Sequence, residues 1–130
     1  MSVELFSVLT YDNNVTTNTD ITTDYPSWTD VNHFTTPVRE AGKYQINMSV
    51  IWKLDTTTKS GMLRYSIDGG TTYQEFQSEA KDKTNDNANT FGLTVDHTGG
   101  SFEIFLDMTR ESGTNAMDCS RCEIIVQRVG

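Results

Sequence analysis

Hydrophobic and polar residues alternate with a period of two along most of this chain. The clearest case is the predicted strand Lys43–Leu54, whose apolar residues of one parity are Tyr44, Ile46, Met48, Val50 and Trp52. Only Ile51 breaks the alternation. A period of two indicates a β-strand with one face buried and the other exposed.

The same pattern predicts eight or nine strands. The segments are Val3–Tyr11, Thr16–Thr23, Ser27–Phe34, Lys43–Leu54, Met62–Ile67, Thr72–Gln77, Thr90–Asp96, Phe102–Met108 and Cys122–Val129. A turn is predicted at Asp12–Asn14, a short edge strand at Thr16–Thr23, and a loop at the polar stretch Ser78–Asn89. No segment has the period of a helix, and no linker or repeat divides the chain. Residues 1–130 are therefore predicted to form one all-β domain, an antiparallel two-sheet sandwich or a closed barrel.

The composition supports an all-β fold and argues against two classes of binding partner. Thr, Ser and Asn are abundant, which suits pleated surfaces and turns. The net charge of -8 argues against a nucleic-acid partner and against an anionic membrane surface. The first residues lack the basic start of a signal peptide, and no segment is long and apolar enough to insert in a membrane, so we expect synthesis in a cytoplasm.

The two cysteines form a Cys-x-x-Cys motif, Cys119 to Cys122, at the entry to the last predicted strand. Residues three apart in an extended strand point to opposite faces, so a local disulfide would need a turn at Ser120-Arg121. Zinc would need two more ligands, and only His33 and His97 are present. We expect ordinary cysteines with Cys122 buried; a disulfide or link between subunits, and a metal site, are the alternatives.

Other candidate chemistry is sparse. Neither histidine belongs to a nucleophile motif, so an enzyme is not predicted. Asp82 and Asp86 could bind calcium, but their spacing does not match an EF-hand loop. We therefore predict no cofactor and no metal.

Three aromatic residues could form a platform on which a sugar ring stacks. Trp52 has the core parity of its strand and is predicted to be buried. Trp28 and Tyr73 lie near predicted strand ends, and they are the candidate ligand-binding residues.

Several apolar residues have the outward parity. They are Ile51, Phe105, Ile125 and Val129. A strand that is apolar on both faces is covered by another element or by another chain, and no predicted helix is available to cover it. These four residues are therefore the candidate oligomer interface.

Residues 22–52 also resemble a known family. The order TTDYPSWTDV and then FTTPVREAGKYQINMSVIW is similar to jelly-roll domains of bacteriophage virion proteins and of the complement and tumour-necrosis-factor-like superfamily. The matching positions are Phe34, Pro37, Gly42 and Tyr44, and the closing CEIIVQRVG resembles the last strand of such domains. The chain lacks the Gly-Asp-x-Val strand and the Phe-Gly-Phe ending of the complement branch, which favours the phage branch.

The resemblance implies a jelly-roll β-sandwich that assembles as a homotrimer with other virion proteins of the capsid or tail. Its implied function is a non-enzymatic structural component of a tailed-phage virion, as a head-decoration, fibre or tail-appendage protein. Among these a capsid-decoration or head-fibre protein is favoured, because the chain is short and has no coiled coil or long stalk. The alternative is a receptor-binding or glycan-binding module that recognises a host-surface glycan through Trp28 and Tyr73.

Overall fold

The computed structural model describes residues 10–56, 58–79, 86–112 and 116–130. The regular structure in these residues consists of eight strands: β1 Tyr11–Ile21, β2 Thr29–Thr35, β3 Gly42–Leu54, β4 Ser60–Ser66, β5 Gln74–Glu79, β6 Asn87–His97, β7 Glu103–Arg110 and β8 Met117–Arg128. Within this part of the chain no helix is long or apolar enough to cross a membrane.

The strands form two four-stranded sheets. The front sheet has the order β1-β8-β3-β6 and the back sheet has the order β2-β7-β4-β5. Every pair of neighbouring strands is antiparallel. The first three connections and the last three each cross from one sheet to the other, which confirms the predicted all-β sandwich with jelly-roll topology.

The core lies between the inner faces of the two sheets. Strand β3 supplies its centre because its residues of one parity, from Tyr44 to Leu54, are all at most 1% exposed. Trp52 is buried as predicted, and its indole N–H donates to Asn89 Oδ1 at 2.7 Å, which satisfies the polar end of a buried ring.

The first part of the fold differs from the prediction. The predicted turn at Asp12–Asn14 is wrong, because these residues lie in β1, whose pairing with β8 runs from Tyr11 to Ile21. Asn14 pairs with Ile124 in that ladder, and its amide donates to Asn32 Oδ1 at 2.7 Å. These long-range partners outweigh the turn preference of asparagine. Residues 3–9 of the predicted first strand lie outside the described residues.

The predicted loop Ser78–Asn89 is shortened at both ends. Ser78 and Glu79 belong to β5, and β6 begins at Asn87, three residues before the predicted start. The ladder with β3 extends β6, since Asn87 pairs with Trp52. Asp86 is exposed and Asp82 lies outside the described residues, so the suggested calcium pair is not described.

The last strand begins at Met117, five residues before the predicted start, and it contains a bulge. Ile51 pairs with Arg121 but Trp52 pairs with Cys119, so Ser120 is the extra residue of the ladder, and its hydroxyl donates to Ile51 O at 3.2 Å. The extra residue turns both cysteines towards the core, where Cys119 is 1% exposed and Cys122 is 0% exposed. Both are free thiols.

The two lateral sides of the sandwich are closed to different degrees. On the side of β1 and β2, which we call the closed side, Asn32 donates from Nδ2 to Asn14 O at 3.1 Å and to Cys122 O at 3.3 Å. On the side of β5 and β6, which we call the open side, Phe76 is 38% exposed and Phe91 is only partly buried. An opening of about 140 Å³ lies there, lined by Trp52, Phe76 and Phe91 among others.

Candidate functional site

The outer face of the back sheet brings the two candidate ligand-binding residues together around an arginine. The guanidinium carbon of Arg64 lies 4.8 Å from the ring centroid of Trp28 and 3.8 Å from that of Tyr73. Both distances fall within the range of cation–π contacts. We call Trp28, Arg64 and Tyr73 the aromatic clamp.

Arg64 points outward because of its parity in β4. Its neighbours Leu63 and Tyr65 face the core, and Arg64 pairs across the sheet with Asp107 of β7. Its Nε donates to Asp107 Oδ2 at 2.8 Å. The side chain of Asp107 is 1% exposed, so a buried carboxylate holds the guanidinium in place.

The other oxygen of Asp107 contacts His33 of β2. His33 Nε2 lies 2.9 Å from Asp107 Oδ1 and 3.5 Å from Asp30 Oδ1. These three residues have the ligand atoms of a small metal site, within 4.8 Å of one another. A cation there would compete with the Arg64 guanidinium for Asp107, so the arrangement fits an ion network better than a metal site.

Tyr73 is positioned by the turn between β4 and β5. Asp68 Oδ1 accepts from the backbone N–H groups of Thr71 at 3.1 Å and Thr72 at 2.9 Å, and from Ser66 Oγ at 2.7 Å. The hydroxyl of Thr72 donates a hydrogen bond to the Asp68 carboxylate, and so does its backbone N–H. These two bonds, the hydroxyl's being the stronger influence, hold the pKa of Asp68 far below its ordinary range. The turn also needs positive φ at Gly69 and Gly70, as its Asp-Gly-Gly sequence indicated.

Trp28 is positioned by the segment that precedes β2. Tyr25 N–H donates to Arg110 O at 2.8 Å, and the Arg110 side chain bonds Asp24 at 2.8 Å. These bonds fix the segment against the end of β7. The ring of Tyr25, 47% exposed, meets Trp28 edge-on with centroids 6.0 Å apart, so a third aromatic residue extends the clamp towards solvent.

The geometry suits binding more than catalysis. The bond to Asp107 uses only Nε of Arg64, and within the described residues neither of its η nitrogens has an acceptor. An oriented guanidinium with free N–H donors beside aromatic rings can bind hydroxyl or carboxylate oxygens of a ligand. Nε2 of His33 contacts the carboxylates of Asp107 and Asp30, and Nε2 of His97 contacts the carbonyl of Gly100. Within the described residues no serine or cysteine bonds to either ring.

The four candidate interface residues lie outside the core but on different faces. Ile51 and Ile125 are both on the outer face of the front sheet and are half-buried, and Val129 is 49% exposed beyond the end of β8. Phe105 is on the back sheet, where its own chain covers it. His33 stacks on its ring at 4.1 Å, and a Cβ on Gly70 would lie 3.3 Å from the ring.

The cysteines do not form a reactive site. Burial raises the pKa of Cys119 to about 11 and that of Cys122 to about 12. A reactive cysteine needs a lowered pKa and access to solvent. The structure therefore fits the expectation of ordinary buried cysteines.

Sequence reasoning missed three residues that form the site. Arg64 and Asp107 are 43 positions apart and are joined only by the pairing of β4 with β7. A weak signal existed in the sequence, because each is a charged residue with an apolar or aromatic residue on both sides. Tyr25 belongs to a segment whose path the sequence did not indicate.

Comparison with known proteins identifies the fold. No protein-family model matches the chain, and curated proteins gave no match either. Among solved structures, a protein of infectious bursal disease virus (Gx strain) superposes with a TM-score of 0.66 at 6% identity, covering 94% of this chain and 33% of that chain. The VP2 subviral particle of the same virus gives a TM-score of 0.65 at 9% identity, covering 94% of this chain and 33% of that chain.

A T=1 particle derived from that virus also matches, with a TM-score of 0.65 at 11% identity over 92% of this chain and 32% of the other. The chain thus spans about a third of the length of the viral proteins it matches. The fold of this protein is similar to a jelly-roll domain found in virus particles.

Proposed function

We propose that this protein is a non-enzymatic structural module of a virus particle. The observation that carries the proposal is the superposition of 94% of the chain on a protein of the VP2 subviral particle, with the same jelly-roll fold. Two further observations fit the proposal. The pKa values of both cysteines are raised, and each histidine contacts an oxygen of its own chain, Asp107 Oδ1 for His33 and Gly100 O for His97.

More specifically, we propose a component of a tailed phage that is made in the host cytoplasm. It would assemble as a homotrimer and serve as a head-decoration, fibre or tail-appendage protein. The sequence motif from Phe34 to Tyr44 supports a jelly-roll domain of this kind, and the lack of the Gly-Asp-x-Val strand of the complement branch favours the phage branch. Ile51 and Ile125 support self-assembly, since both are apolar and on the same outer face of the front sheet.

Mass spectrometry and labelled electron microscopy of purified particles test this function. We expect the protein in the particle at a fixed copy number and at a regular position on capsid or tail. Its absence from purified particles would reject the proposal.

The homotrimer has its own test. Light scattering should give the mass of three chains or a multiple of it, and the pair Ile51→Glu with Ile125→Glu should lower that mass. Val38→Glu is the matched control, because Val38 is 76% exposed in the connection between β2 and β3. A stable monomer at micromolar concentration would contradict the trimer but not the location in the particle.

A second candidate function is glycan binding by the aromatic clamp. The favouring observation is that Trp28, which Tyr25 contacts edge-on, and Tyr73 both lie against an arginine whose η nitrogens are free within the described residues. A sugar ring stacks on an aromatic face while its hydroxyls bond the guanidinium.

Glycan-array screening followed by calorimetry tests this candidate. Tyr25→Ala should weaken binding at least tenfold, and Arg64→Lys should weaken it as well because an ammonium lacks the planar donor fork. Tyr11→Ala is the matched control, since Tyr11 is 57% exposed on the front sheet. No binding across the array, or equal loss in all three variants, would reject a site at the clamp.

A further inference from the structure

The four free edges of the two sheets are not equally protected against pairing with another chain. Strand β1 contains Asn18 with a φ of 54° next to the bulge of β8, and β2 has an irregularity between Asp30 and Asn32. Strand β5 has only six residues, which include Glu75 and Glu79. Bulges, shortness and charge are the usual ways of blocking an edge strand.

Strand β6 is long and has no bulge against β3, and Asp96 near its end is its one carboxylate. It pairs with β3 without a register shift along all eleven residues from Asn87 to His97. The nine residues from Asn87 to Val95 contain no charged side chain and no proline. Within the described residues no strand pairs with its other edge. Such an edge is a template for an added strand.

The main-chain groups that point to this free edge can be identified. Lys43 of β3 bonds the β8 side, because its N–H donates to Gly130 O at 3.1 Å and its carbonyl accepts from Val129 N–H at 2.8 Å. Main-chain groups alternate in direction along an antiparallel strand, so the even-numbered residues of β3 bond β6. Their partners are odd-numbered, as in Met48 with Phe91.

It follows that the even-numbered residues of β6 direct their N–H and C=O groups away from β3. These residues are Ala88, Thr90, Gly92, Thr94 and Asp96. Their side chains are exposed on the outer face of the front sheet, and the first four are small and uncharged.

We propose that the free edge of β6 pairs, antiparallel and about a twofold axis at Gly92, with the β6 edge of a second copy of this chain. In this register Thr90 lies opposite Thr94 of the second copy and Ala88 lies opposite Asp96, so like charges never face each other. On the inner face Phe91 lies opposite Leu93, which covers apolar surface at the open side. A strip that is uncharged and complementary to itself fits a second copy, and the two chains contribute the same patch.

The open side supplies the apolar surface for this contact. Phe91 and Leu93 are only partly buried, and Phe76 beside them is 38% exposed, next to the opening of about 140 Å³. The contact leaves Ile51 and Ile125 free on the outer face of the front sheet, so it is additional to the trimer of the proposed function and does not depend on it.

Disulfide trapping tests the register directly. Paired residues of this type have Cα atoms about 5.5 Å apart, which a disulfide can span. A mixture of the full-chain variants Thr90→Cys and Thr94→Cys should form a linked dimer under a mild oxidant, whereas each variant alone should not. The native thiols are buried, so the unsubstituted chain serves as the background control. No link in the mixture, or equal links in the single variants, would overturn the proposal.

A charge variant tests the association itself. Thr90→Lys combined with Thr94→Lys places like charges on the strip and should weaken self-association at least tenfold in sedimentation equilibrium. Thr17→Lys is the control, because Thr17 is exposed on the opposite edge strand β1. Unchanged association in the β6 variant would overturn the proposal. A wild-type chain that remains unassociated over a 100-fold range of protein concentration would overturn it as well. Neither result would affect the test of virion location.

Discussion

The closed and open sides of the sandwich contain edge strands of similar length but are sealed by different chemistry. On the closed side, Asn32 is 1% exposed and bonds groups of both front-sheet strands beside it. On the open side, Asn89 accepts from the indole of Trp52 at 2.7 Å, and the aromatic rings of Phe76 and Phe91 lie with centroids 4.7 Å apart while remaining partly exposed. On the closed side the polar groups already have partners within the chain. On the open side the partly exposed rings leave apolar surface that another molecule can cover.

The largest expected effect on stability is the difference between truncating a buried core residue and truncating its cross-strand neighbour at the open side. Met48 and Phe91 pair across β3 and β6 on the inner face, but Met48 is 1% exposed and Phe91 is only partly buried. We expect Met48→Ala to lower the free energy of unfolding by about 3 kcal/mol and Phe91→Ala by about half of that, because less surface is removed from water. Urea denaturation of monomeric protein measures both values. Equal losses would mean that the open side is packed as tightly as the core.

The next effect compares the two asparagines. Asn32→Leu should lower the free energy of unfolding by about 2 kcal/mol, since buried carbonyl groups of Asn14 and Cys122 lose their donor. Asn89→Leu should cost about 1 kcal/mol or less, because water can reach the indole N–H of Trp52 through the opening. The same urea titration measures both variants, and the reverse order would contradict the assignment of closed and open sides.

Thiol labelling provides a probe of access to each side. Burial raises the pKa of Cys119 from 9.0 to about 11, which lowers its thiolate fraction about 100-fold at pH 8. We expect no reaction of Cys119 or Cys122 with a disulfide reagent in the native protein and two reactive thiols in urea. A cysteine placed at Ser78, which lines the opening, should react in the native protein.

The same thiols predict a loss of stability at alkaline pH. Their pKa values are raised on folding, so their contribution is complete below pH 9.0 and falls as the pH rises towards 11, where the unfolded chain ionises first. Thermal melts between pH 8 and 11 measure the loss. Cys122→Ala should remove part of this pH dependence, and an unchanged profile would contradict it.

The smallest expected effect concerns the turn that borders the open side. Folding lowers the pKa of Asp68, so its contribution is present above the ordinary value of 3.8 and is lost as the pH falls below it. Asp68→Asn should lower the melting temperature slightly at pH 7, and the difference from wild type should shrink steadily as the pH falls below 3.8. A difference that grows in acid would contradict the lowered pKa of Asp68.

Some of the fold could be predicted residue by residue. Strand β3 begins one residue before the predicted start and ends where predicted, because five apolar residues of one parity leave little choice of register. Only the second half of strand β1 could be predicted, as the edge strand Thr16–Thr23, since the asparagines in its first half are held by the partners of β8 and by Asn32, all distant in sequence.

The candidate site was predictable only in part. The sequence named Trp28 and Tyr73 but gave no reason for them to meet. Arg64 joins them because β4 places it opposite Asp107, and that pairing depends on the order of strands in the back sheet.

The amino-acid pattern by itself determined an all-β domain with its core on one parity of β3, because burial of alternate residues is a local property of an extended chain. Only the tertiary structure decided how each outward apolar residue is covered. His33 and the turn at Gly70 cover Phe105, Ile51 remains on the outer face of the front sheet, and one extra residue at Ser120 turns both cysteines inward. These outcomes depend on which strands become neighbours, and that choice is made by contacts between residues far apart in the chain.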